Sequence, residues 1–153
     1  MKGKILLLIA MFAFCGSVFS QFTGKIDRLQ GKWRYKEGSG FEVWEKKGSD
    51  LVGYAYRVNP KTGDSSKVED IRLRLVNKRL IYTMTTYNYA DDSLYRTDHD
   101  FVGGKRQMKF YNIDSSSPYM VKYSYGFLNR NKLIIRIYNG MHEKPLKLIL
   151  RRE

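Results

Sequence analysis

Val68-Glu69-Asp70-Ile71-Arg72-Leu73-Arg74-Leu75-Val76 is the stretch that decides the fold class. Ile71, Leu73 and Leu75 recur at every second position, with Asp70, Arg72 and Arg74 between them. A period of two belongs to a strand with one face buried; a helix would repeat at three and four. Glu69 has the parity of Ile71, so a carboxylate ends the inward row.

The same pattern extends in both directions, broken only by turn residues. Upstream lie Gly31 to Glu37, Phe41 to Lys47 and Leu51 to Val58; Lys67 to Val76 is the fourth run. Downstream follow Arg79 to Tyr87, Leu94 to Val102, Arg106 to Ile113, Pro118 to Phe127, Lys132 to Asn139 and Pro145 to Arg152. Short Gly, Asn, Asp, Ser and Pro segments divide them, as hairpin connections require. About ten sequential strands joined in this way predict an all-β, up-and-down antiparallel barrel. Closure would also remove the exposed edges that an open sheet must protect. A β-sandwich is the alternative, but it needs longer crossing connections.

The 153 residues hold 28 Lys and Arg against 15 Asp and Glu, with a single Cys and 12 Tyr. The first 20 follow the plan of a secretory signal peptide: Lys2 and Lys4, an apolar run from Ile5 to Phe14, then small residues before Gln21. The apolar run is too short to span a bilayer, so no transmembrane segment is expected after processing. Residues 21–153 are then one barrel domain, periplasmic or secreted. Removing 20 residues with two Lys and Cys15 leaves 133 residues, a net charge of +11 and no cysteine. Disulfides, thiol nucleophiles and thiolate metal sites are thereby excluded.

Alternation also assigns faces. Met108 and Phe110 point inward with Asn112 at their parity; Tyr95, Thr97, His99 and Phe101 share one face. Leu146, Leu148 and Leu150 point in, and Arg152 with them. Val52, Tyr54, Tyr56 and Val58, and likewise Tyr119, Val121, Tyr123 and Tyr125, read as inward rows. If Trp44 faces in, so does Glu42. The interior is therefore apolar and aromatic with a few polar points. Glu42, Trp44, Glu69, His99, Asn112 and Tyr123 are the candidate ligand-binding residues, because a mostly apolar lumen with sparse polar groups suits a small apolar or amphipathic molecule. The same polar groups would equally serve a packed barrel by bonding one another.

Gly31-Lys32-Trp33 resembles the Gly-x-Trp opening of lipocalin-like (calycin) barrels. That resemblance implies a structural Trp33 packed under a basic residue of the last strand, Arg151 or Arg152. Leu29 to Trp33, Phe41 to Lys46, Leu51 to Tyr54, Val68 to Leu73, Phe110 to Asn112 and Asn139-Gly140 together resemble a family of exported bacterial calycin-like domains of unknown function. The resemblance runs from about residue 27 to residue 152. Family members carry a His-Asp-Phe-Pro segment after Asn112. Here the stretch is Ile113-Asp114-Ser115-Ser116-Ser117-Pro118, so a ligand or activity depending on that His and aromatic does not carry over.

Catalytic and metal chemistry find little support. His99 and His142 are the two histidines, and strand alternation sets Asp98 and Asp100 on the face opposite His99, so no metal site and no cofactor is expected. Glu42 and Glu69 would suit an acid and base pair. No nucleophile elbow, phosphate-cradling loop or Ser-His-Asp order accompanies them, so the chain reads as a binder rather than an enzyme. The positive charge gives an alternative role, a filled barrel whose basic outer face (Lys32, Arg34, Lys36, Arg72 and Arg74) binds an anionic envelope surface. Nucleic acid is an unsuitable partner for an exported protein.

Overall fold

The computed structural model describes residues 25–90, 93–104, 108–113, 122–140 and 143–153. The signal segment 1–20 and His142 lie outside the described residues, as do the side chains of 88–90, 93–99, 101 and 104. Ten antiparallel strands close into an up-and-down barrel: β1 (Gly31–Tyr35), β2 (Gly40–Lys47), β3 (Asp50–Val58), β4 (Ser65–Val76), β5 (Arg79–Ala90), β6 (Ser93–Gly104), β7 (Lys109–Asn112), β8 (Lys122–Asn129), β9 (Lys132–Tyr138) and β10 (Leu146–Arg152). Each strand pairs with its neighbour in sequence, and β10 returns to β1 through Trp33 opposite Arg152 and Tyr35 opposite Leu150. Among the described residues no helix is long and apolar enough to cross a membrane.

Local chemistry sets the connections. Asn77 and Lys78 both adopt positive φ, 48° and 65°, between β4 and β5. Two left-handed residues match the twist of the flanking strands, which is why this link needs only two. The Asn59–Asp64 turn is closed by the Asn59 amide donating to the Asp64 carbonyl at 2.8 Å and by the Gly63 amide donating to the Asn59 carbonyl at 2.9 Å.

One end of the barrel is plugged by a short 3-10 helix, Asp27–Leu29, whose Leu29 is buried along with Ile26 just before it. Trp33 is fully buried there, and its indole Nε1 donates to the Leu29 carbonyl at 2.7 Å. The Arg152 guanidinium stands 4.3 Å from the centre of the Trp33 ring. It also donates to the carbonyls of Gln30 at 2.7 Å and Arg28 at 2.5 Å, so the last strand is tied to the plug through both of its terminal nitrogens. Gly31 is required beneath it, since a Cβ there would come within 2.9 Å of the guanidinium at a φ of 113°.

Above the plug the lumen is filled by side chains at inward parity. Trp44, Ile71, Leu73, Tyr82, Met84, Phe110, Leu133, Ile135 and Leu150 are buried. Tyr82 packs on Phe110 at 4.9 Å and on Tyr123 at 5.7 Å between ring centres, and Trp44 meets Tyr125 edge-on at 5.8 Å. Such aromatic pairs add about 0.5–1.5 kcal/mol each beyond the area they bury.

The third strand reverses the expected faces. Leu51, Gly53 and Ala55 are buried, while Val52, Tyr54 and Tyr56 turn outward. The reason is Trp44, paired opposite Gly53: a Cβ on Gly53 would lie 2.8 Å from three atoms of the indole. Small residues must face in where the large ring crosses, so the tyrosines occupy the outer surface. There Tyr56 stacks on Phe41 at 4.8 Å and the Tyr54 hydroxyl accepts from Lys47 at 2.8 Å. Leu146, placed inward from its spacing, is 59% exposed because it sits at the end of β10 beyond the packed layers.

Candidate functional site

At the end opposite the plug the packing stops short of the rim and leaves an open cavity of about 550 Å³. Tyr35, Ala55, Val58, Glu69, Tyr123, Ile137 and Leu148 line it, with Glu37, Arg57 and Pro60 among the other lining residues. Its floor follows from alternation: Tyr35 is two residues beyond Trp33, Glu69 two before Ile71, Tyr123 two before Tyr125, and Leu148 two before Leu150. The inward rows that fill the core thus continue into the cavity, where Tyr35 and Glu69 follow Trp33 and Ile71 as more polar side chains.

Two carboxyls belong to this end, and their surroundings differ. Glu42 is 2% exposed and lies below the cavity. One carboxyl oxygen accepts the Trp44 indole N–H at 2.8 Å and the other accepts the Tyr35 hydroxyl at 3.2 Å. Burial raises its pKa to about 7, against the lowering effect of those two donors. Glu69 is half-buried in the cavity wall, with its pKa also raised to about 7, first by desolvation and then by the neighbouring Glu42 charge; Arg57 opposes the rise. No described residue forms a hydrogen bond with the Glu69 carboxyl. Directly across the β4–β5 ladder from it is Thr86, whose hydroxyl is buried without a partner. The phenols of Tyr35, Tyr82 and Tyr123 are pushed up by burial and by the two carboxyls, so they stay neutral donors and acceptors at any physiological pH.

Of the residues singled out from sequence, the cavity brings together Glu69 and Tyr123. Glu42 and Trp44 support it from below: Glu42 fixes the Tyr35 hydroxyl, and Trp44 donates to Glu42. Asn112 is half-buried at the end of β7, paired with Phe101 and outside the cavity lining. His99 is on β6 opposite Met84, and its side chain lies outside the described residues. Tyr35 and Arg57 line the cavity without having been candidates, and Leu148, placed inward from its spacing, joins them. Tyr35 was legible, because it shares a face with Trp33. Arg57 was not: the pairing shifts between Ala55 and Tyr56, and a register shift leaves no mark on simple alternation.

Among the described residues no three His, Cys, Asp or Glu side chains cluster to hold a metal ion. On the outer wall several cations named from sequence are already paired. Lys32 and Arg34 both contact the Glu153 carboxylate and Arg72 contacts Asp50; Lys67, not among those named, contacts Asp70. A less neutralised stretch crosses the opposite wall, where Lys109, Ser124, Arg136 and Lys147 form one cross-strand row over β7 to β10. Beside it a smaller cavity of about 330 Å³ is lined by Lys25, Arg28, Lys109 and Arg136 together with Tyr125 and Phe127.

Compared with known proteins, the chain matches no family model, no curated protein and no solved structure.

Proposed function

We propose that the protein is an exported, periplasmic or secreted barrel of the calycin type that binds a small, largely apolar molecule in its lumen without transforming it. The observation that carries this is the cavity of about 550 Å³ above the aromatic layer, a size within the range of small-molecule sites. Its wall combines apolar and aromatic side chains with Glu37, Arg57 and Glu69, the last without a hydrogen-bond partner among the described residues, the mixture that gives such sites both affinity and orientation. The resemblance of Gly31-Lys32-Trp33 and the following segments to exported calycin-like domains supports the same reading. Native mass spectrometry of the protein purified from its exported fraction tests it. A co-purifying small molecule, released on unfolding, is expected. Failure to find one, together with failure of apolar probes to bind, would refute it.

A second reading is favoured by a different observation, the like-charged pair Arg136 and Lys147 directly across the β9–β10 ladder. Like charges in that position cost stability unless an anion joins them. On this reading the outer face docks on an anionic envelope surface. Sedimentation with anionic vesicles, weakening as salt is raised, is the expected result. The Lys147→Glu variant should then lose vesicle binding while lumen occupancy stays as in the wild type.

A further inference from the structure

The wall of the lumen cavity carries chemistry that limits what can enter it. Its polar points are acidic or neutral: Glu69 in the wall, Glu42 beneath it, and the phenols of Tyr35 and Tyr123. Among the described residues the one cation facing Glu69 is Arg57, an exposed residue at the mouth. The Glu69 carboxyl lines the cavity and has no hydrogen-bond partner among the described residues. A half-buried carboxylate with no partner of its own favours an occupant that pairs it. Both carboxylate oxygens accept, so the occupant that suits it brings donors.

We propose that the lumen selects a cationic amphipath, a primary amine on an apolar body, with the ammonium group held by the Glu69 carboxylate and the body packed against Tyr35, Tyr123, Ile137 and Leu148. The proposal rests on reading the cavity as a ligand site and names the ligand's class. An ammonium offers three donors and no acceptor, which answers the Glu69 carboxylate. Tyr35 and Tyr123 line the same cavity, and a tyrosine ring attracts a cation that settles over its face. An amphipathic acid is disfavoured, because its carboxylate would lie against the like charges of Glu69 and Glu42. The net charge of +11 left after residues 1–20 are removed repels cations at long range, so amine binding would report the cavity and not the outer surface.

Protonation gives the proposal a second signature. The groups facing Glu69 are Tyr35 and Glu37 from β1 and its following turn, Glu42 from β2, Arg57 from β3, Tyr82 from β5 and Tyr123 from β8. β9 and β10 contribute Ile137 and Leu148, and the β6 side chains nearby lie outside the described residues. Since Glu69 titrates near 7, amine affinity should rise as pH goes from 5.5 to 8.

Competitive titration calorimetry on the whole protein with decylamine, decanol and decanoate tests this. Decanol is titrated directly, and decylamine and decanoate are measured by its displacement in moderate salt, so that all three report the same cavity. Decylamine is expected to bind at least tenfold tighter than decanoate at pH 7.5. Glu69→Gln should remove at least tenfold of the amine's affinity, abolish its pH dependence and leave decanol unchanged. Binding of decanoate as tight as that of decylamine overturns the amine assignment while the lumen reading stands. A Glu69→Gln variant that retains the amine preference overturns Glu69 as the anchor. If none of the three probes binds, the lumen reading itself fails.

Discussion

Replacing Glu42 with Gln separates a buried carboxyl from its hydrogen bonds. The amide oxygen can accept the Trp44 N–H, and the amide N–H can donate to the Tyr35 hydroxyl, which is able to reverse its role. The geometry is kept and the charge is lost. Wild-type Glu42 has its pKa raised from 4.5 to about 7, so between those values the folded state holds a proton that the unfolded state releases. Stability must therefore fall as pH rises through this window and level off above it. At about 1.4 kcal/mol per pH unit the loss at pH 8 amounts to about 3 kcal/mol. Glu42→Gln has no such loss. It should match wild type near pH 4.5 and exceed it by about 3 kcal/mol at pH 8, a rise in Tm of roughly 10 °C for a chain of this size. Glu69 strengthens the contrast, because removing the Glu42 charge relieves part of its own raised pKa. Urea unfolding at half-unit intervals from pH 4.5 to 8 measures both curves. If the two run parallel, Glu42 is not sealed beneath the cavity, and the floor of the site has been misplaced with it.

Arg152→Ala removes two hydrogen bonds to the plug and the cover over Trp33, and should cost about 2–3 kcal/mol in urea unfolding, with Arg152→Lys recovering only part. Gly53→Ala pushes a methyl into the Trp44 indole and should cost about 1–3 kcal/mol, with a changed near-ultraviolet circular dichroism signal from the displaced ring. Lys78→Gly relieves a left-handed residue in the β4–β5 turn and should raise stability by up to about 1 kcal/mol in thermal melts.

Strand identity was legible wherever one face was uniformly apolar. In β4 the alternation of Ile71, Leu73 and Leu75 with Asp70, Arg72 and Arg74 gave the strand, its register and the position of Glu69 at once. In β3 the same rule pointed the wrong way. Val52, Tyr54 and Tyr56 outweigh Gly53 and Ala55 in apolar bulk, yet the volume beneath Trp44 admits only the small pair. Alternation says that a strand has two faces, but the partner's shape decides which face is inside. The carboxyls were found by parity, while their difference was not: Glu42 is sealed by Trp44 and Tyr35, and Glu69 is left open, through cross-strand packing that no single strand encodes. Leu146 shows the complementary limit, since parity continues past the point where the barrel still has contents.

The seam between β1 and β10 has a kinetic meaning. Every other pairing in the barrel joins strands that follow one another in sequence, so each forms by closing a short loop. The seam alone unites residues such as Trp33 and Arg152, at opposite ends of the described chain. Loop closure over that distance is the most costly step in conformational entropy, and it is rewarded only when the plug, the guanidinium and the indole meet together. The nine hairpin contacts can accumulate as an open, curling sheet, with edges exposed until the last register is made. Arg152 is thus a latch whose loss would lengthen the life of that open sheet, and with it the time during which one unfinished molecule can add its edge strand to another.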